Sequence, residues 1–325
     1  MDLSTTYLGM RLAHPLVVGA GPLGDEVDVA KALEDAGASL LVLRSLYEEE
    51  ITGEQMDEFM NVESFSDSMA EAASFSPEPL LALGPDEYLE HLRRIKEAVH
   101  IPVMASLNGV THGGWIGFAR LLEQAGADGL ELHIYHAASD MSTSAAEVER
   151  QMVEVVREVK RSLRIPVAVK LAPLLTAFAH FAKTIDATGV DGLVLFTRFH
   201  RVDIDVDELE VVRSLPLSDS SELQLRLRGT AALSGRINAS LAITGGIHTG
   251  LDVVKATMCG AHATQMVSAL LRHGPGHLRT VRRELEEWMR EHEWDSLQEM
   301  RGNMSFNRSP DPAAYERANF RMSLR

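Results

Sequence analysis

A single cysteine in 325 residues, Cys259, excludes an internal disulfide framework and a thiolate-held metal cluster. It stands in Met258-Cys259-Gly260-Ala261, between a helical stretch and an apolar strand, and reads as a small core residue. Positive charge is also scarce, with 31 Lys and Arg against 47 Asp and Glu and a formal charge of −16. That balance disfavours a nucleic-acid groove or an anionic membrane surface as partner, and its ordinary reading is a solvated acidic exterior. No apolar run is long enough to span a bilayer, and Met1-Asp2-Leu3-Ser4 opens no basic segment followed by an apolar one. The expectation is a cytoplasmic protein.

Glycine is plentiful, at 24 residues, and four of them punctuate a repeated unit. A helical pattern ends at a small pair and passes into an apolar strand. This happens at Ala36-Gly37-Ala38 before Leu40–Leu43 and at Ala125-Gly126-Ala127 before Leu130–Leu132. It recurs at Thr188-Gly189-Val190 before Leu193–Phe196 and at Cys259-Gly260-Ala261 before Ala263–Val267. Glycine ends a helix by taking the left-handed conformation cheaply, and the chain then enters a buried strand. Ile101–Ala105 and Ile165–Val169 follow charged amphipathic helices, Leu241–Thr244 follows another helical stretch, and the initial Pro15–Val18 completes a set of eight. Eight apolar strands alternating with helices predict an α/β fold, a closed (β/α)8 TIM barrel, with an open doubly wound sheet as the alternative.

Two segments interrupt the alternation. Tyr47 to about Pro85, after strand two, is acidic and rich in Met and Phe. Arg198 to about Ser234, after strand six, contains the acidic run Asp203 to Glu210. Long insertions of this kind form lids or binding walls. Leu278 to Trp294 reads as an amphipathic helix, and Arg301 to Arg325 as a tail packed on the barrel or a partner. The whole of 1–325 is therefore expected to be one barrel domain with a C-terminal helical extension over 278–325.

A closed parallel barrel builds its site at the C-terminal ends of its strands. The polar and small residues there are Gly19-Ala20-Gly21, Arg44-Ser45, Asn108-Gly109, His133 to His136, Lys170, Thr197-Arg198, Thr244-Gly245-Gly246 and Val267-Ser268. Gly19-Ala20-Gly21-Pro22-Leu23-Gly24 also fits G-x-G-x-x-G, with Arg44 placed to meet a 2′-phosphate, so a nicotinamide-binding domain is a competing reading. The loops after strands seven and eight are the stronger phosphate signal. Gly245 and Gly246 let the backbone approach an anion, Val267 and Ser268 add a second N–H pair, and Ser268 adds a hydroxyl. One phosphate site fits FMN more simply than FAD. Lys170, inside the apolar run Val167–Leu171, is costly unless it meets an anion or performs chemistry. It can stabilise negative charge at a reduced flavin or form a Schiff base as an aldolase or lyase. His112, His133 and His136 lack metal-ligand spacing, and no metal is expected.

The order of these motifs, including Glu131-Leu132, Val169-Lys170-Leu171-Ala172-Pro173, Gly260-Ala261 and the tail Pro312 to Ala318, resembles the dihydroorotate dehydrogenases of class 1. It is most similar to their divergent dihydroorotate dehydrogenase-like branch. The resemblance implies FMN across the barrel mouth, with its phosphate at Gly245, Gly246, Val267 and Ser268 and its ring near Ala20, Gly21, Ser45, Asn108, His133, Lys170 and Thr197. Arg44 stands where a second lysine is usual, Ala20 replaces a serine and Thr197 an asparagine. The family's Asn-x-Ser-Cys-Pro-Asn is here His133-Ile134-Tyr135-His136-Ala137-Ala138, so His136 occupies the position of the catalytic base. No Asn-x-x-Gly-Leu-Pro-Asn loop follows strand two.

The reading is an FMN-dependent oxidoreductase passing hydride from a small CH–CH or CH–N substrate to flavin N5, with His136 and Lys170 as catalytic residues. Dihydroorotate itself, and hence pyrimidine biosynthesis, is disfavoured. The electron acceptor is not legible, and a homodimer is the expected assembly. A non-catalytic flavin-binding or assembly subunit and a Lys170 Schiff-base enzyme are the alternatives.

Overall fold

The computed structural model describes residues 1–52, 84–113, 115–135, 139–198, 203–212 and 216–323. Eight parallel strands close into a barrel. They are β1 (Leu16–Val18), β2 (Leu41–Tyr47), β3 (Val103–Asn108), β4 (Gly129–His133), β5 (Val167–Leu171), β6 (Gly192–Leu195), β7 (Ser240–Thr244) and β8 (Ala263–Met266). Each pairs with the next, and β8 returns to β1 through Thr264–Leu16, Gln265–Val17 and Met266–Val18. Closure removes the open sheet, and with it the nicotinamide-domain reading of Gly19 to Gly24.

The strands are apolar on both faces because both faces are covered. Outward residues such as Leu16, Val18, Leu41 and Leu43 pack under the helices, while Val17, Val42, Met104, Ala168, Val194, Ala242 and Ala263 fill the interior. A hairpin of Thr5–Tyr7 and Met10–Leu12 contributes Tyr7, Leu8 and Leu12 to the interior cluster. Gly192 admits it: a Cβ there would lie 2.3 Å from Leu8 Cδ2.

The repeated helix-to-strand junction has one backbone cause. Gly37, Gly126, Gly189 and Gly260 all have positive φ, between 86° and 115°. They follow α1 (Val27–Asp35), α3 (Trp115–Gln124), α5 (Phe178–Asp186) and α7 (Gly250–Cys259). The other barrel helices are α2 (Pro85–Ala98), α4 (Ala145–Ser162), α6 (Leu223–Leu233) and the six-residue α8 (Ser268–His273). Cys259 ends α7 with its thiol pushed up to about 11 by burial, an unreactive environment.

The expected boundaries need two corrections. The second insertion is shorter than Arg198 to Ser234, because Leu223–Leu233 is the barrel helix α6; what projects is a hairpin of Asp203–Asp205 with Glu210–Val212. Most of the first insertion, 53–83, lies outside the described residues. Beyond the barrel, α9 (His277–Glu291) replaces the longer helix expected, and α10 (Pro312–Ser323) is tied to α6 by the Arg228–Glu316 ion pair. No helix among the described residues is long and apolar enough to cross a membrane.

Two histidines at the opposite end of the barrel make stability pH-dependent. His14 Nδ1 accepts the Leu16 N–H at 3.3 Å, and His262 Nδ1 accepts the Leu241 N–H at 3.1 Å. Burial, reinforced by Arg282 and Arg301 respectively, lowers both to about 4. The unfolded chain takes up these protons near pH 6.5 and the folded chain only near pH 4. The stabilisation is therefore complete above pH 6.5 and is lost as the pH falls toward 4. Between pH 7 and pH 5 each should cost about 2 kcal/mol. Urea denaturation at the two pH values checks this, and His262→Asn should flatten the dependence. Equal stability in wild type at pH 7 and 5 would contradict it.

Candidate functional site at the C-terminal mouth of the barrel

A cavity of about 530 Å³ opens where the strands end, within the ordinary range for a small-molecule or cofactor site. From β1, β2, β4 and β5 its wall takes Ala20, Gly21, Arg44, Ser45, His133 and Lys170. From β6, β7 and β8 it takes Thr197, Gly245, Gly246, Val267 and Ser268. The structure thus brings together eleven of the twelve positions assigned to a cofactor. Asn108 stands behind the wall, its Nδ2 donating to His133 Nδ1 at 3.1 Å. His136 lies outside the described residues. A wider hollow of about 710 Å³ between α3 and α4 is an open groove on the outer surface, away from the strand ends.

The floor is charged and buried. Lys170 Nζ donates to Glu131 Oε1 at 3.1 Å, and Gln265 Nε2 donates to Glu131 Oε2 at 2.6 Å. Glu131 is fully buried and Lys170 nearly so. All three residues belong to barrel strands, on β4, β5 and β8, and Ser106 of β3 is the register partner of Glu131. A carboxylate only accepts, so the Gln265 amide nitrogen must face it and Oε1 must face away.

Arg44 reaches the wall through an irregularity in β2. The register with β3 shifts between Val42 and Ser45 and then resumes at Ser45–Ser106, where the two hydroxyls meet at 2.7 Å. A bulge of this kind re-aims a side chain. Asp25 Oδ1 lies 3.7 Å from Arg44 Nε, too long for a hydrogen bond. Burial pushes the Asp25 carboxyl up, against the pull of Arg44.

His133 is uncharged at ordinary pH: burial, with Lys170 adding to it, lowers its ring to about 3. With the Asn108 amide nitrogen donating to Nδ1, the ring proton sits on Nε2. Three buried polar atoms on this wall, Arg44 Nε, His133 Nε2 and Gln265 Oε1, have no hydrogen-bond partner among the described residues. Buried polar groups are ordinarily satisfied, so three orphans around one cavity mark where a polar ligand would complete the structure.

The loops after β7 and β8 are held from behind. Arg226, buried in α6, donates to the Thr244 carbonyl and, at 2.5 Å, to the Glu222 carbonyl. A Cβ on Gly245 would meet its guanidinium at 2.8 Å, and one on Gly246 would meet Leu223 N at 2.5 Å. Both glycines have positive φ, so the loop lies flat on the start of α6 and turns its other side to the cavity. The Ser218 N–H donates to Ser268 Oγ at 3.1 Å, leaving the Ser268 proton to donate elsewhere. Gly245, Gly246, Val267 and Ser268 thus form one stretch of the cavity wall.

Sequence reasoning missed several wall residues. Gln265 carried the same signal as Lys170, a polar side chain in an apolar strand, and Glu131 was noticed without a role. Leu217 and Ser218 come from the insertion after β6, where nothing local marks them. No group of three or more His, Cys, Asp or Glu among the described residues could hold a metal ion.

Residues 2–289 match the family model for dihydroorotate dehydrogenase. The catalytic subunit of dihydroorotate dehydrogenase B (NAD(+)) from Thermoplasma volcanium is 25% identical over 309 residues, covering 93% of this chain and 98% of the relative. The chloroplastic dihydropyrimidine dehydrogenase (NADP(+)) of Arabidopsis thaliana is 22% identical, covering 93% of this chain and 76% of the relative. The NAD-dependent dihydropyrimidine dehydrogenase subunit PreA of Escherichia coli K12 is also 22% identical, with 95% and 78% covered. A closed barrel, a polar cavity at its C-terminal mouth and a family match over most of the sequence agree: the chain belongs to the dihydroorotate dehydrogenase family, a family of flavin-dependent oxidoreductases.

Proposed function

We propose that the chain binds FMN in the mouth cavity and oxidises a small reduced substrate other than dihydroorotate. The observation that carries this is the combination, on one wall, of a buried ammonium, three orphaned polar atoms and a glycine cradle. Gly245, Gly246, Val267 and Ser268 would hold the phosphate, and Lys170 the ring. FMN, when bound, supplies the hydride acceptor. Lys170 opposes negative charge building up beside it, His133 offers a neutral Nε2–H donor, and the apolar barrel interior below keeps water out. His136 follows β4 at the position of the family's base and is assigned proton abstraction from the substrate. The Schiff-base alternative is disfavoured, because an ammonium paired with a buried carboxylate has no lone pair with which to attack a carbonyl.

Ser268→Asp tests the phosphate assignment. The new carboxylate can still accept from the Ser218 N–H, and it places negative charge where the phosphate is assigned. Like-charge contact in a shielded site costs several kcal/mol, so the variant should fold and lose its flavin. Gly246 is a poorer probe, because any side chain there collides with Leu223 before it reaches a ligand. A folded Ser268→Asp protein that keeps full flavin content would move the phosphate elsewhere.

A further inference from the structure

The buried carboxylate under the cavity has no role in the reading so far. Glu131 is inaccessible from the cavity and does not line it. Yet both of its oxygens are committed to residues that do: Oε1 to Lys170 at 3.1 Å and Oε2 to Gln265 at 2.6 Å. The Lys170 side chain is long and flexible, and a single strong acceptor at its tip selects one rotamer from many. The same carboxylate orients Gln265, leaving Oε1 as the unpartnered acceptor beside Gly19. A full negative charge 3.1 Å from the ammonium also cancels much of the field that the ammonium projects into the cavity.

We propose that Glu131 is a positioning residue that fixes Lys170 and offsets its charge, so that the reduction potential of the bound flavin is set by the Glu131–Lys170 pair. This rests on the flavin reading above. The other polar neighbours of Glu131 carry no charge: Ser106 is its register partner on β3, and the wholly buried Tyr7 hydroxyl, without a partner among the described residues, feels its charge. Two hydrophobic side chains would fill the same volume with less desolvation cost.

The sign of the effect separates this role from a structural one. Glu131→Gln keeps the shape and removes the charge. A flip of the Gln265 amide lets its unpartnered Oε1 accept from the new amide, so the variant has a satisfied arrangement available. With the lysine charge no longer offset, the midpoint potential should rise, and the ratio of affinities for reduced over oxidised FMN should grow by at least about tenfold. Lys170→Met should lower the potential, and the double variant should fall between Lys170→Met and wild type. Spectroelectrochemical titration of the flavin-loaded proteins reads all four. An unchanged or lowered midpoint in Glu131→Gln, with Lys170→Met shifted, overturns the role of Glu131. If neither single variant shifts while flavin stays bound, the placement of the ring beside Lys170 fails instead. Should Glu131→Gln not fold, Glu131→Asp carries the same sign, because its shorter side chain withdraws from Nζ, and an unshifted midpoint there overturns the proposal equally.

Discussion

Lys170→Met should cost about 3–5 kcal/mol of folding stability, the usual penalty for breaking a buried ion pair from one side. The substitution leaves Glu131 fully buried, with the Gln265 amide as its one remaining hydrogen-bond donor among the described residues. The cost lies in the stranded carboxylate rather than in the lost lysine. Pairing Lys170→Met with Glu131→Gln should therefore recover most of the loss, since removing both charges removes the desolvation debt. Urea denaturation of the flavin-free proteins at pH 7 measures it. A Lys170→Met protein as stable as wild type would mean that the pair does not form in solution, and both roles assigned to it would fall together.

Dihydroorotate should bleach the flavin slowly or not at all when mixed anaerobically with the protein. Proton abstraction needs a base in hydrogen-bond reach of the substrate carbon while the ring stacks on the flavin. The segment after β4 changes the base to His136 and the flanking asparagines of the family pattern to His133 and Ala138. His133 is on the wall, neutral, and already tied through Nδ1 to Asn108. It can donate one hydrogen bond, whereas an asparagine amide both donates and accepts. Each unmade bond in a buried site costs about 1–3 kcal/mol, so several losses reduce binding by orders of magnitude. Rapid bleaching by wild type, abolished by His136→Ala, would instead install dihydroorotate as substrate and His136 as its base.

The barrel was legible because its signals are local. A glycine with positive φ between a helix and an apolar strand is written in four consecutive residues, and it recurs. Lys170 was legible for a similar reason, as a cation inside an apolar run. Its partner was not. Glu131 stands 39 residues before Lys170 on the neighbouring strand, and Gln265 lies 134 residues beyond Glu131, so only the closed barrel brings Lys170 and Gln265 to one carboxylate. A helical stretch before Leu241 was legible, but its start was counted with the insertion, because Leu223-Gln224-Leu225-Arg226-Leu227-Arg228 alternates like a strand. The helix forms because Arg226 is buried and bonded to the Thr244 and Glu222 carbonyls, while Leu225 is left exposed. Tertiary contacts there override the period. The irregularity in β2 that delivers Arg44 has no glycine or proline to announce it.

The central claim is that the mouth cavity is a flavin site, and the visible spectrum of the purified protein, with the mass of the ligand released on denaturation, tests it most directly. The expected result is the near-ultraviolet and blue absorption bands of oxidised flavin (about one per chain, as one phosphate site implies), and a released ligand with the mass of FMN. A protein that stays colourless after incubation with excess FMN, while folded and with the cavity residues intact, would contradict the account at its root.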